Sequence, residues 1–328
     1  MSTIKDSYGR EIDYLRLSVT DRCNLRCQYC MPPEGIDKFS HFNALPLEDY
    51  VKIVRAAVKL GIHKIRITGG EPLVRKNIAY LISEINSIPG INEISMTTNG
   101  VIFAEMAQEL KAAGLDRVNF SLDTLNAERY ANITRGGDIS KVKESLELAL
   151  KLNMTPVKIN TVAVKGFNDD EIDSFVSMSV NYPFHIRFIE LMPVGSLDFF
   201  NKNKVFTIEE IQSIISKNWE VEKEVVIKGN GPAKYWHVAE GLGSIGFISP
   251  LSNHFCNTCN RLRVNSEGKI RSCLLNNQEY DLRDALESDN EEDIVRVLQK
   301  AISEKPEKLG IKPDYTYKDK KEMYKIGG

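Results

Sequence analysis

The six cysteines of this 328-residue chain fall into two triplets with none left over, Cys23-x3-Cys27-x2-Cys30 and Cys256-x2-Cys259-x13-Cys273. Three thiolates are one ligand short of a closed tetrahedral zinc site and one short of a four-iron cluster held wholly by protein. Each triplet therefore predicts a metal centre with an open position. At the first, a four-iron cluster with one free iron could chelate the amine and carboxylate of an amino acid, groups that S-adenosylmethionine (SAM) carries. The competing reading is a zinc knuckle or scattered buried thiols, but the nearest histidine, His41, sits in a segment with no further ligand spacing. At the second, His254-x-Cys256-x2-Cys259-x13-Cys273 could make a structural zinc site of three thiolates and one imidazole, so zinc stays open there.

Elements that could position these residues alternate along the chain. Candidate strands are Leu15–Val19, Lys64–Thr68, Glu93–Thr97, Arg117–Ser121, Val157–Val164 and His185–Glu190, separated by helices such as Leu47–Leu60, Asn77–Ile88, Ala104–Ala113, Ile139–Leu152 and Asp170–Asn181. Six strand-helix units in a row imply parallel strands with crossovers, in a doubly wound sheet or a barrel. Thr68-Gly69-Gly70-Glu71-Pro72, Thr97-Thr98-Asn99-Gly100, Ser121-Leu122-Asp123 and Glu190-Leu191-Met192-Pro193 follow four of the strands. In either architecture ligands bind at those carboxyl ends. After Ile208–Lys217 the chain turns to short strand-like pieces, which places a boundary near residues 195 to 205.

Gly69-Gly70-Glu71-Pro72 would offer bare backbone to a ligand and a carboxylate able to accept from an ammonium. Arg261 and Arg263, two apart, would point to one side of an extended segment, as an anion clamp requires. Gly241-x-Gly243-x2-Gly246 spells a dinucleotide fingerprint, but Phe247-Ile248-Ser249-Pro250 continues it as strand where a helix should begin, so it reads as turns. No Gly-x4-Gly-Lys-Ser/Thr occurs.

The balance of 43 Lys plus Arg against 45 Asp plus Glu gives no bulk field for a nucleic acid or a membrane surface, so an anionic ligand must be held by local cations. The polar start and the lack of any apolar run of membrane-spanning length lead to the expectation of a cytoplasmic protein. A reducing compartment keeps six thiols available for metal.

Leu15-Arg16-Leu17-Ser18-Val19-Thr20-Asp21-Arg22-Cys23, Ile65-Arg66-Ile67-Thr68-Gly69-Gly70-Glu71-Pro72-Leu73, Arg187-Phe188-Ile189-Glu190, Phe255-Cys256-x2-Cys259-Asn260-Arg261-Leu262-Arg263 and the terminal Ile326-Gly327-Gly328 together resemble the radical SAM enzymes. More narrowly, they resemble the GTP 3′,8-cyclase family of molybdenum-cofactor biosynthesis. The resemblance implies an α/β fold: an incomplete six-unit (β/α) barrel of TIM type over residues 1–200, closed by a carboxyl-terminal α+β region, 201–328, that carries a second [4Fe–4S] cluster.

By the same resemblance Cys23, Cys27 and Cys30 hold the cluster that binds SAM, which Tyr29, Gly70, Glu71, Ser121 and Met192 would contact. Cys256, Cys259 and Cys273 would hold the second cluster. Arg16, Arg66, Thr97, Lys158, Arg261, Leu262 and Arg263 would bind GTP, with Arg261 and Arg263 in catalytic positions, and the double-glycine tail would reach the site. A nucleoside triphosphate in a chain without net positive charge needs such arginine forks and a lysine close together. The implied partners are GTP, an external electron donor, a downstream cyclic pyranopterin monophosphate synthase and a second copy of the chain, with no nucleic acid and no membrane. Two readings stay open beside it: another two-cluster radical enzyme, such as a peptide-modifying one, and a zinc-dependent module for nucleotide or RNA.

Overall fold

The computed structural model describes residues 3–36, 44–194, 199–229, 231–288, 290–308 and 321–326. The first half runs β1 (Tyr14–Ser18), α1 (Leu47–Lys59), β2 (Lys64–Thr68), α2 (Ile78–Asn86), β3 (Glu93–Thr98), α3 (Phe103–Ala112), β4 (Arg117–Ser121), α4 (Ala127–Thr134), α5 (Ile139–Lys151), β5 (Val157–Ala163), α6 (Ile172–Asn181) and β6 (Phe184–Glu190). The second half adds α7 (Ile208–Asn218), β7 (Val221–Val225), β8 (Lys234–Val238), β9 (Ser244–Ile248), β10 (Arg261–Val264), β11 (Lys269–Arg271), β12 (Tyr280–Asp281), α8 (Arg283–Glu287), α9 (Glu291–Ser303) and α10 (Met323–Ile326).

Strands β1 to β6 pair in sequence order, each parallel to the next: the parallel strands expected from the alternation, arranged as the partial barrel that the resemblance implies. Both edges of that six-strand wall are covered from the second half: β10 pairs parallel with β1 and β9 parallel with β6. The antiparallel pieces β11–β12 and β8–β7 extend the sheet outward from these, giving one continuous sheet of 12 strands.

Strand alternation explains what each face does. Leu15, Leu17, Ile65, Ile67, Ile94, Met96, Val118, Phe120, Ile159, Ile186 and Phe188 point one way and are buried in the apolar core between sheet and helices. The residues between them point the other way and are polar: Arg16, Arg66, Ser95, Thr97, Arg117, Asn119, Lys158, Asn160 and Arg187. A TIM barrel normally fills its interior with branched apolar side chains. Here the apolar core lies between sheet and helices, and the opposite face carries buried polar and charged side chains.

Several helices begin at a side-chain cap. Asn126 accepts from Arg129 N–H at the start of α4, Asp138 from Ser140 N–H at α5, and Thr207 with Glu210 closes a capping box at α7. Helix α6 starts at Ile172, later than Asp170, because residues Asp169–Glu171 form a 3₁₀ turn. Gly243 lies in the expected turn, where a Cβ would run into the Phe184 carbonyl, whereas Gly246 lies within β9, so the strand begins before Phe247.

Candidate functional site

The cysteine loop leaves the carboxyl end of β1 and is pinned from two sides. The short helix α4 ends against it: Arg26 N–H donates to Thr134 O at 3.0 Å, Gln28 N–H to Ile133 O at 2.9 Å, and the Arg135 guanidinium to Arg26 O at 2.7 Å and Met31 O at 2.9 Å. On the other side the turn after β2 packs backbone to backbone, with Gly70 N–H on Thr20 O at 2.8 Å and Glu71 N–H on Arg22 O at 2.7 Å. A Cβ on Gly70 would lie 2.3 Å from the Arg22 carbonyl oxygen. What the glycine admits in this structure is the cysteine loop itself, where bare backbone for a ligand was expected.

Glu71 differs from expectation for a related reason. Its carboxylate is buried and accepts from Leu73 N–H at 3.1 Å, Thr98 Oγ1 at 2.8 Å and Asn99 N–H at 2.7 Å. Burial raises it to about 7 against the pull of these donors. The side chain clamps the ends of β2 and β3 together, with both oxygens already accepting within the chain. Tyr29 donates its hydroxyl to Asp123 Oδ2 at 2.5 Å and sets its ring 5.7 Å from that of Phe199. Ser121 ends β4 half-buried on the polar face, and Met192 lies just past β6 against Val194, Leu275 and Ile326.

The three thiols of this loop are free and partly buried. Burial, with the neighbouring Glu71 carboxylate adding to it, pushes Cys23 up to about 11. Burial and the charge of Cys23 push Cys30 up to about 12, and Cys27 is raised by burial and by Cys30. Such thiols give up their protons to a strong cation, as in a metal cluster. Leu25 N–H at 3.4 Å and Asn99 Nδ2 at 3.7 Å already donate to the Cys23 sulfur.

The second triplet sits at the other end of the strand pair. β10 runs parallel to β1 with Tyr14 opposite Arg261, so Cys256 and Cys259 precede it at the amino end of β1. β11 runs back along β10, with Arg271 opposite Arg263, and returns Cys273 to that same end. Burial raises Cys259, but the charges of Arg261 and Lys305 outweigh it and bring the thiol down to about 6. His254 turns Nδ1 to the Pro250 carbonyl at 2.6 Å. Among the described residues, no three cysteine, histidine or carboxylate side chains are drawn close enough to share one metal ion.

Between the two ends the polar face is dominated by cations. Arg16, Arg66, Arg117, Lys158, Arg187 and Arg263 project into it from six different strands, with Arg66, Arg117, Lys158, Arg187 and Arg263 all buried. Arg66 donates to the Tyr14 hydroxyl and, through Nη1, to Thr97 Oγ1 at 3.2 Å. Arg117 pairs with Glu93 at 2.5 Å. Lys158 donates to Lys228 O at 2.5 Å and lies 5.5 Å from the centre of the Tyr235 ring.

Burial and mutual repulsion lower Arg16, Arg66, Lys158, Arg187 and Arg263 together. Arg16 falls through burial and Arg263, Arg66 and Arg187 chiefly through burial, and Arg263 through burial and Arg261 to about 10. Burial, then Arg187, Arg117 and Arg66, push Lys158 down to about 6. Burial would raise the Tyr14 hydroxyl, but Arg66 and Arg16 bring it down to about 8. Nε of Arg117 and Nε of Arg187 are buried without a hydrogen-bond partner. Such a set is stable with a polyanion among it and strained without one.

Leu262 is a correction. Strand alternation carries it to the face opposite Arg261 and Arg263, where it is fully buried in the apolar core with Leu17 and Val264. Its side chain cannot line a nucleotide site. Arg261 and Arg263 do share one face, as their spacing requires. Gly327, Gly328 and His41 lie outside the described residues.

The sequence profile of the radical SAM superfamily matches residues 17–178, and that of Molybdenum Cofactor Synthesis C matches residues 184–311. A GTP 3′,8-cyclase of Syntrophomonas wolfei is 50% identical over 98% of this chain and 99% of its own length. One of Alkaliphilus oremlandii is 47% identical over 99% of this chain and 100% of its own. The chain belongs to the GTP 3′,8-cyclase family. The crystal structure of Streptococcus suis SuiB shares the fold, with a TM-score of 0.57 at 16% identity over 87% of this chain and 66% of that one.

The cofactors of the GTP 3′,8-cyclase family, two [4Fe–4S] clusters and SAM, fit the donors present. One end supplies three thiols on one loop, and the other supplies two before β10 and one after β11, the three-thiolate donor set of a cluster with one open iron. Arg117, Arg187, Glu93, Asn119 and Asp123 were missed as site residues by sequence reading. A strand-borne arginine looks alike whether it faces a site or makes an ion pair, and register separates the two. For Arg117, Arg187 and Asn119 the signal was their alternation with Val118, Phe120 and Phe188.

Proposed function

We infer that the chain is a radical SAM GTP 3′,8-cyclase, converting GTP to (8S)-3′,8-cyclo-7,8-dihydroguanosine 5′-triphosphate ahead of molybdenum-cofactor assembly. The observation that carries the site reading is the interior cation set, Arg16, Arg66, Arg117, Lys158, Arg187 and Arg263, brought from six strands to one polar face between two thiol triplets. A triphosphate complements such a set. A peptide substrate would not need it, and a zinc module would not need two open thiol sites.

When bound, the clusters and SAM supply the electron and the radical chemistry that removes the ribose 3′ hydrogen. The chain's own task is placement. Arg16, Arg66, Lys158 and Arg263, with Arg117 and Arg187, hold the triphosphate, while Arg261 and Thr97 fix the nucleoside end. Tyr29, Ser121 and Met192 line the SAM end, and Gly70 and Glu71 hold the cysteine loop in shape behind it. Orientation of this kind can lower a barrier by ~7–11 kcal/mol when reacting atoms are held in contact.

Residues 1–200 serve as the barrel and 201–328 as the closing region with the second cluster. An external electron donor, a homodimer, a cytoplasmic setting and hand-over of product to a cyclic pyranopterin monophosphate synthase belong to this same proposal. Among the described residues no helix is long and apolar enough to cross a membrane.

The test is anaerobic reconstitution with iron and sulfide counts, then addition of GTP, SAM and reductant. About eight irons with GTP-dependent 5′-deoxyadenosine and a cyclised guanine nucleotide are expected. Deoxyadenosine without any change in GTP would keep the radical fold and remove the substrate.

A further inference from the structure

Two buried cations outside the interior set converge on the second thiol triplet. Lys305, 3% exposed, follows α9 and donates its ammonium to Arg261 O at 2.9 Å and to Ser272 O. Arg261 lies two residues past Cys259 and Ser272 immediately before Cys273, so one ammonium joins the two segments that bear these thiols. Arg10 ties the third: its guanidinium donates to Cys256 O at 2.8 Å, to Pro306 O at 2.7 Å and to Glu307 O at 3.1 Å. The stretch after α9 thus stands behind all three cysteines.

The two cations differ in charge balance. Arg10 is paired with Asp6 at 2.5 Å. Lys305 has no carboxylate ion-pair partner among the described residues, and the negative charges that favour its ammonium are those of Cys259 and Cys273. A buried charge persists when a counter-charge lies beside it, and ligated thiolates are that counter-charge.

We propose that Lys305 is a positioning residue of the second centre: its ammonium fixes the spacing of the Cys259 and Cys273 segments and, as a positive charge beside their thiolates, raises the reduction potential of the cluster they hold. Cluster potentials respond to net charge and to hydrogen bonds around the ligands, and residues behind the ligands are as decisive as the ligands themselves. The proposal rests on reading Cys256, Cys259 and Cys273 as cluster ligands.

The test is a redox titration of the reconstituted full-length enzyme followed by paramagnetic resonance, with SAM added to mark the first cluster and iron counted in every sample. In iron-replete Lys305→Met, the reduced-to-oxidised ratio of the second cluster at fixed potential should fall at least tenfold, a downward shift of about 59 mV for a one-electron couple. The first cluster should be unmoved and Lys305→Arg should restore the second. If the Met variant fails to retain the second cluster, Lys305→Gln, which keeps a donor and drops the charge, reads the potential. Loss of that cluster in both Met and Gln with retention in Arg also supports the proposal. An unchanged potential in an iron-replete Met or Gln variant, or loss of the cluster in the Arg variant too, overturns it. About four irons in the unaltered enzyme would instead remove the ligand reading itself.

Discussion

Nζ of Lys158, on the polar face of β5, donates to the Lys228 carbonyl at 2.5 Å in the strap between β7 and β8. A barrel residue implied to bind substrate is thereby tied to a surface loop. Gly229 permits the approach, since a Cβ there would lie 2.5 Å from Lys158 Nζ.

The lowered Lys158 titration predicts proton uptake on nucleotide binding. Free Lys158 is mainly neutral above about pH 6, and an anion beside it moves the group back toward the ordinary lysine range. Between those two values, binding draws in a proton. At pH 7.5, calorimetry in buffers of different ionisation enthalpy should show uptake approaching one proton per GTP. Lys158→Met should lose that uptake and bind GTP roughly tenfold or more weakly, about 1.4 kcal/mol.

Glu93→Gln should destabilise the free protein more than the complex. Arg117 and Glu93 form a buried pair, and removing one partner of such a pair costs roughly 3–5 kcal/mol. Burial raises Glu93, but Arg117 outweighs it and holds the carboxyl below its ordinary value, so the pair's contribution is present above that ordinary value and is lost as pH falls. In thermal unfolding at neutral pH the variant should melt lower, and GTP should raise its Tm by more than it raises that of the unaltered chain.

Gly70→Ala should lose the first cluster, because the added methyl meets backbone that cannot step aside. Iron should drop from about eight to about four per chain, with GTP affinity retained. Full iron content would mean that the Cys23 loop can shift without cost.

Leu262 and Arg263 are neighbours with opposite duties. Leu262→Ala should cost roughly 2–5 kcal/mol of stability in denaturant while leaving GTP affinity within about twofold. Arg263→Leu should weaken GTP binding at least tenfold, about 1.4 kcal/mol. An equilibrium titration of both variants checks the pair.

Much of this was legible in the residues. β2 and β4 occupy the expected spans, and β1, β3, β5 and β6 differ by a residue at one or both ends, because β-branched runs bounded by glycine and asparagine leave little choice. Helix α4 was not among the expected helices: its eight residues are fewer than in any of those that were, so its apolar stripe spans little more than two turns. The role of Glu71 was hidden for another reason. A carboxylate in a glycine turn reads the same whether it awaits a ligand or binds Leu73, Thr98 and Asn99, and tertiary contacts decide. Leu262 could have been placed by alternation alone, since its two arginine neighbours cannot share its face.

The order in which the strands pair has a consequence during synthesis. β6 gains its outer neighbour at residues 244–248 and β1 at residues 261–264. Until that stretch has left the ribosome, the nascent barrel presents two bare strand edges, the condition that invites edge-to-edge association. A message cut short before β10 would therefore yield a chain with the SAM-end cysteines in place and one flank still adhesive.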